Sequence, residues 1–285
     1  MKKLIVILGV VGVSLSAILV RLSSAPSMVL VFLRMFFAAA VLVPAMLLRH
    51  REELKCITRK ELCLSLLSGV FLGLHFTCYF SSLRYTSIAA AVVLVDTEVF
   101  FVALATPLLF GKKISKKCWL GIGLTFLGSI LIALTDSGQG SNVLLGDLLA
   151  LLGAAFVAVY TLIGTVVRKT RSTTVYTALV YSAGAVTVAL MLLFTGTPVL
   201  GYAPVDYLAG LGLAVFCTLL GHSVFSWGLK YVSPAFVSTV KLLEPVFATI
   251  LGIFLLHELP GIPVVLGGIL VILGIAWYAG NQESP

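Results

Sequence analysis

The sequence predicts an all-α polytopic membrane protein, with ten transmembrane helices arranged as two inverted five-helix repeats. Three observations carry this expectation. Of 285 residues, 60% are hydrophobic and 11% charged, whereas a soluble domain carries roughly a quarter charged residues. Apolar runs of about 20 residues, the length that crosses a bilayer as a helix, recur with only short polar breaks. The chain also matches itself when slid by 146 positions, from 83 to 229.

The expected spans are 4–22, 27–48, 61–82, 88–110, 117–135, 147–167, 173–194, 206–229, 235–256 and 262–280. The first follows Met1-Lys2-Lys3 and has the look of a signal peptide, but it shows no obvious small-x-small cleavage site and nine more runs follow, so it is read as a retained helix. Span 3 carries His75 and Tyr79 one turn apart, with Ser82 at the next turn. Span 4 carries Asp96 and Glu98, span 8 His222 and Trp227, and span 9 Lys241 and Glu244 with Pro245 beside it. Spans 5 and 10 each hold glycines seven residues apart, Gly121 and Gly128, Gly267 and Gly274, a spacing that lets helices pack closely. The longest connections, Leu48 to Lys60 and Asp136 to Gly146, are too short for a separate soluble domain.

The net charge of +8 is explained by topology, not by a nucleic-acid partner. The basic residues are dispersed among short loops without aromatic interleaving. With a cytoplasmic N-terminus, the inner segments hold Lys2, Lys3, Arg49, Arg51, Lys55, Arg59, Lys60, Lys112, Lys113, Lys116, Lys117, Arg168, Lys169, Arg171 and Lys230. Only Arg21 and Arg84 then lie outside, and Arg34 and Lys241 within spans. This distribution obeys the positive-inside rule and places both termini in the cytoplasm, in the cytoplasmic (inner) membrane of the cell. Cys56, Cys63, Cys78, Cys118 and Cys217 contain no CxxC pair, which argues against a disulfide framework or a zinc site.

In the 146-residue register, Leu83-Arg84-Tyr85 falls on Leu229-Lys230-Tyr231, Ser87 on Ser233, Ala89 on Ala235, Glu98 on Glu244 and Phe101 on Phe247. Leu120-Gly121 then falls on Leu266-Gly267 and Leu127-Gly128 on Leu273-Gly274 without a gap. Spans 3–5 therefore repeat as 8–10, while 1–2 and 6–7 share only apolar character and small residues. Five is odd, so two tandem five-span units, 1–140 and 141–285, enter the membrane from opposite sides. Such inverted halves suit alternating access, because exchanging their conformations gives inward-open and outward-open states of similar energy.

Ser81-Ser82-Leu83-Arg84-Tyr85-Thr86-Ser87 before span 4, Leu243-Glu244-Pro245-Val246-Phe247 in span 9 and His257-Glu258-Leu259-Pro260 after it, with Arg34 in span 2 and Gly146-Asp147 opening span 6, resemble the EamA-type transporters of the drug/metabolite transporter superfamily. The resemblance implies ten helices with cytoplasmic ends, a central cavity between the halves, and transport of small metabolites such as amino acids, amines or drug-like compounds. Two departures stand out: Val99 follows Glu98 where a proline is usual, and Lys112-Lys113 replaces a common glycine-glutamate pair.

Ionisable residues inside spans are costly and mark function by default. Here they are Arg34, His75, Asp96, Glu98, His222, Lys241 and Glu244. Glu98 and Glu244 occupy equivalent places near the middle of their spans, and Lys241 precedes Glu244 by one turn. This group suits either a substrate or proton site, in which protonation of a desolvated carboxylate switches the cavity, or a neutralised ion pair of Lys241 with Glu244. Pro245 can create a broken-helix binding surface or a packing kink. Asp96 stands about 200° around an ideal helix from Glu98, so it is expected in packing, near the helix that bears Arg34, and Glu98→Gln is expected to impair transport more than Asp96→Asn. Arg34 suits a substrate carboxylate or a structural acid partner. His75, Tyr79 and Trp227 are expected to line the cavity.

No nucleophile motif, metal spacing or phosphate loop stands out, since Gly121-Ile122-Gly123 lies inside a predicted helix without a preceding strand. No cofactor is expected. The leading reading is a secondary transporter of a small metabolite by alternating access, with export preferred over import. A membrane-embedded enzyme acting on a lipid-linked substrate and a channel-like protein are the alternatives. The expected partners are the substrate and the lipid bilayer.

Overall fold

The computed structural model describes residues 1–86, 88–111, 113–133, 142–256 and 261–281, and among these all regular structure is helical. Ser87, Lys112, the loop 136–141 and the motif His257 to Pro260 lie outside the described residues. The helices are α1 (Lys2–Val13, continuing as Ser16–Arg21), α2 (Ser27–Arg49), α3 (Arg59–Ser82), α4 (Ile88–Asp96 and Glu98–Phe110), α5 (Lys116–Ala133), α6 (Val143–Val167), α7 (Thr173–Thr195), α8 (Pro204–Gly212, a π-helical stretch Leu213–His222, then Ser223–Gly228), α9 (Pro234–Lys241 and Glu244–Leu256) and α10 (Ile262–Asn281). A short helix, Arg51–Lys55, bridges α2 and α3.

Local chemistry sets where the helices begin. Thr58 and Glu61 form a reciprocal capping box at α3. The Asn142, Ser172 and Ser233 side chains accept from the third backbone N–H beyond them at α6, α7 and α9, which satisfies donors that a helix start leaves orphaned. α4 and α7 stop at Gly111 and Gly196, with φ of 67° and 65°, a left-handed closure that glycine adopts without strain.

Eight helices among the described residues are long and apolar enough to cross a membrane: Lys2–Val20, Ser27–Arg49, Arg59–Ser82, Ala90–Phe110, Val143–Val167, Thr173–Thr195, Pro204–Gly228 and Ile262–Asn281. Large apolar side chains cover their outer faces, with Leu108 and Phe194 each 86% exposed. An apolar exterior of this extent needs lipid around it.

The helices pack in a pattern that survives exchange of the two halves. α3 packs on α6 and α8 on α1; α3 on α7 and α8 on α2; α4 on α6 and α9 on α1. α2 with α7, α4 with α9 and α5 with α10 pair across the halves. The α5–α10 contact depends on the four glycines. A Cβ at Gly128 would stand 2.6 Å from the Gly267 carbonyl oxygen, and one at Gly274 2.6 Å from the Thr125 nitrogen. Only hydrogen fits there.

α4 and α9 are both broken, after Asp96 and after Lys241, and each resumes at a glutamate, Glu98 or Glu244. At the first break Thr97 Oγ1 donates to the Leu94 carbonyl at 2.6 Å and the Thr97 backbone N–H to the same oxygen at 3.2 Å. At the second, Pro245 occupies the second position of the new segment, where its missing N–H costs nothing.

Candidate functional site

The breaks bring polar groups from both halves to one central cavity. It is lined by Val13 and Ser16 of α1, Arg34 of α2, His75, Phe76 and Tyr79 of α3, Val95, Asp96 and Glu98 of α4, Val157 of α6, Cys217, His222 and Phe225 of α8, and Lys241 and Glu244 of α9. Six of the seven residues singled out as site candidates thus meet: Arg34, His75, Tyr79, Glu98, Lys241 and Glu244. Trp227 does not. It packs on Tyr231, with ring centroids 4.7 Å apart, away from the lining.

Glu98 is held by three side chains. Its Oε1 accepts from Thr161 Oγ1 at 2.8 Å, Ser238 Oγ at 2.9 Å and Lys241 Nζ at 3.1 Å, and its Oε2 lies 2.8 Å from Lys241 Nζ. The alternative of a local pair between Lys241 and Glu244 is therefore replaced by an ion pair that joins the two halves. The break after Lys241 removes the continuous helical turn that would have set Lys241 beside Glu244. Among the described residues, no hydrogen bond or ion pair reaches the Glu244 carboxylate.

Asp96 faces the same cavity as Glu98, contrary to the expectation from an unbroken helix. The non-helical step at Thr97 turns the chain, so the angle of about 200° that two residues span in a regular helix no longer applies. Asp96 Oδ2 is buried without a hydrogen-bond partner.

Arg34 has no acid partner among the described residues. It is 1% exposed, its guanidinium lies 3.8 Å from the Phe76 ring centroid, and Nε donates to Thr218 Oγ1 at 3.0 Å. Its Nη2 is buried and unpartnered. A stacked guanidinium with a free donor edge is preorganised for an anionic oxygen. His75 Nδ1 lies 3.0 Å from the Gly153 carbonyl. A carbonyl only accepts, so Nδ1 carries the hydrogen and a neutral ring presents Nε2 as an acceptor. The ring stacks on Tyr79, with centroids 6.1 Å apart and planes 12° off parallel.

Thr161, Ser238 and Cys217 escaped the reading of the sequence as site residues, and His222 stood among the ionisable residues within spans but not among the expected lining residues. Ser238 precedes Lys241 by three residues on α9, a same-face signal that was available. His222 reaches the lining at the end of the π-helical stretch Leu213–His222, whose changed residues per turn invalidate face assignments made at the α-helical period. Trp227 follows that stretch, in Ser223–Gly228, and stays outside the lining.

The EamA-like transporter family model matches residues 2–134 and 144–279, one copy in each half. An uncharacterised transporter of Archaeoglobus fulgidus is 28% identical over 253 residues, covering 87% of this chain and 86% of that protein. The pseudopaline exporter of Pseudomonas aeruginosa is 25% identical over 242 residues, covering 84% and 82%. A solved crystal structure, 18% identical, superposes with a TM-score of 0.80 over 97% of this chain and 95% of the other, a likeness of fold. Matched by the model over both halves, the chain belongs to the EamA-like transporter family, and is a multi-span membrane transporter, not an enzyme.

Proposed function

We propose that the chain is a ten-span secondary carrier of two inverted repeats, 1–140 and 141–285, with both termini cytoplasmic, that exports a small metabolite bearing a carboxylate and an ammonium group. The observation that carries the substrate class is that, of the three unpartnered buried atoms in the cavity lining, Arg34 Nη2, Asp96 Oδ2 and His222 Nδ1, two belong to a guanidinium and a carboxyl group. A buried polar group without a partner costs about 1–3 kcal/mol, so a ligand that satisfies both recovers that energy on binding. With Glu98 and Lys241 neutralising each other, Arg34 remains to take the carboxylate, and Asp96 and Glu244 to take the ammonium.

The inverted-repeat reading draws support from the exchange-symmetric helix packing, from one family-model match per half and from breaks at equivalent positions in α4 and α9. The start of α1 meets the end of α10, since Lys3 Nζ donates to the Ala279 carbonyl at 2.6 Å, which puts them on one side, as an even number of spans requires. The lysine and arginine distribution then favours a cytoplasmic location for both ends. Export is favoured by similarity to the pseudopaline exporter.

Counterflow in proteoliposomes tests this. Labelled amino acids should exchange saturably against unlabelled ones, while their decarboxylated amines compete more than tenfold less well. Flux that rises linearly with concentration and ignores the carboxylate would overturn both the carrier and the substrate class.

A further inference from the structure

Two carboxylates outside the central cavity occupy matching places in the halves. Glu61 is the third residue of α3 and Asp206 the third residue of α8. Each does two things at once. Glu61 Oε2 accepts from the Thr58 backbone N–H at 2.9 Å, capping its own helix, and also lies 2.7 Å from Arg171 Nη2, while Oε1 accepts from Thr170 Oγ1 at 2.6 Å. Asp206 Oδ2 accepts from the Ala203 backbone N–H at 3.0 Å, capping its own helix, while Oδ1 accepts from Ser23 Oγ at 2.6 Å, the Ser24 N–H at 2.8 Å and the Ala25 N–H at 3.2 Å.

The partners belong to equivalent loops of the opposite half. Thr170 and Arg171 lie between α6 and α7, and Ser23 to Ala25 between α1 and α2. α2 runs 23 residues from the second loop to the neighbourhood of Glu61, so the two clusters stand about 35 Å apart at opposite ends of the bundle. The central cavity lies between them. Each cluster crosses from one half to the other at its own end, which is where relative motion of the halves must open a path.

We propose that Glu61 and Asp206 are paired gate residues, Glu61 closing the cavity at the end of the α6–α7 loop and Asp206 at the end of the α1–α2 loop. The proposal rests on the carrier reading above. Opening one end requires that one carboxylate release the loop of the opposite half while it keeps its own cap. The α6–α7 loop carries Arg168, Lys169 and Arg171, which makes the Glu61 gate the cytoplasmic one.

Cys217 lines the cavity and serves as the reporter. In a protein with Cys56, Cys63, Cys78 and Cys118 changed to serine, a membrane-impermeant maleimide is applied to right-side-out and inside-out vesicles. Glu61→Gln keeps a capping acceptor but loses the charge. It should raise labelling of Cys217 from the cytoplasmic face roughly fivefold, the scale of a partly exposed ion pair. Asp206→Asn should raise labelling from the outer face instead. Arg171→Gln and Ser23→Ala, which leave both caps intact, should repeat the two shifts, and they decide the outcome if either carboxylate variant unfolds early in thermal denaturation. Sided labelling that neither pair of variants moves, or that both move in the same direction, overturns the gates alone. Equal labelling from both faces in every protein overturns the carrier reading with them.

Discussion

Lys241→Met removes the cation from the interface between the halves and leaves Glu98 buried among hydroxyls. In the native protein the ammonium lies 2.8 Å and 3.1 Å from the two carboxylate oxygens, and Lys241 and Glu98 are 8% and 4% exposed. Removing one member of a buried pair costs about 3–5 kcal/mol, because the survivor keeps its desolvation without its partner. Thr161 and Ser238 still donate to Glu98 Oε1 and offset part of this, so a loss near the lower bound, about 3 kcal/mol, is expected. Adding Glu98→Gln removes the stranded charge, and its amide oxygen accepts from the same two hydroxyls. The double variant should recover at least about 2 kcal/mol of that loss, a coupling typical of contacting residues. Unfolding by SDS titration in mixed micelles, followed through the three tryptophans, measures all four members of the cycle. A single variant within about 0.5 kcal/mol of the native protein, the range of an uncoupled surface change, or a double variant no more stable than Lys241→Met, would refute the bracing role of the pair.

Arg34→Gln should weaken binding of carboxylate-bearing substrates about 10- to 100-fold, the worth of a charge-assisted hydrogen bond, and leave decarboxylated analogues unaffected; thermal-shift titration of both ligand types checks this. Gly128→Leu should loosen the α5–α10 contact, since even a Cβ there would stand 2.6 Å from the Gly267 carbonyl oxygen; overpacking of this kind costs about 1–3 kcal/mol and is read as a lowered unfolding midpoint. Cys56, exposed in the α2–α3 connection, should react with an impermeant maleimide from the cytoplasmic face only, and reaction from the outer face would invert the topology.

Helix positions were legible in the sequence because each run is a long apolar segment with polar punctuation, and bilayer thickness leaves little freedom in its length. The equivalence of Glu98 and Glu244 was legible because the gapless register from 83 to 128 carries it. The faces were legible only where helices stay regular. His75 and Tyr79, on the unbroken α3, share the cavity as their spacing requires. The face of Asp96 and the partner of Lys241 were misread because a helix break intervenes at each, and a break has no short-range signature as plain as an apolar run. Pro245 signals one break, but the equivalent break at Thr97 has Val99 in place of the proline. There the partners of Glu98, not a missing N–H, accompany the interruption.

The repeat is symmetric in position and asymmetric in chemistry, and this asymmetry separates the roles of the two glutamates. In the 146-residue register, Ser238 and Lys241, which hold Glu98, fall on Val92 and Val95. The mirror-image surroundings of Glu244 therefore supply neither a hydroxyl nor an ammonium from the broken helix opposite. Glu98 spends its oxygens on Thr161, Ser238 and Lys241, whereas Glu244, on the same cavity, retains its acceptor capacity. A carrier whose halves were chemically identical would sit at two states of equal energy. In the carrier proposed above, one braced and one unbraced carboxylate would break that degeneracy, and a ligand at Glu244 would act on the equilibrium between states without first dismantling the Glu98–Lys241 pair. A ligand shifts such an equilibrium only by its difference in affinity for the two states. Of the two glutamates, Glu98 already holds its partners, so in such a carrier Glu244 is the one that would take a new partner while the brace stays closed.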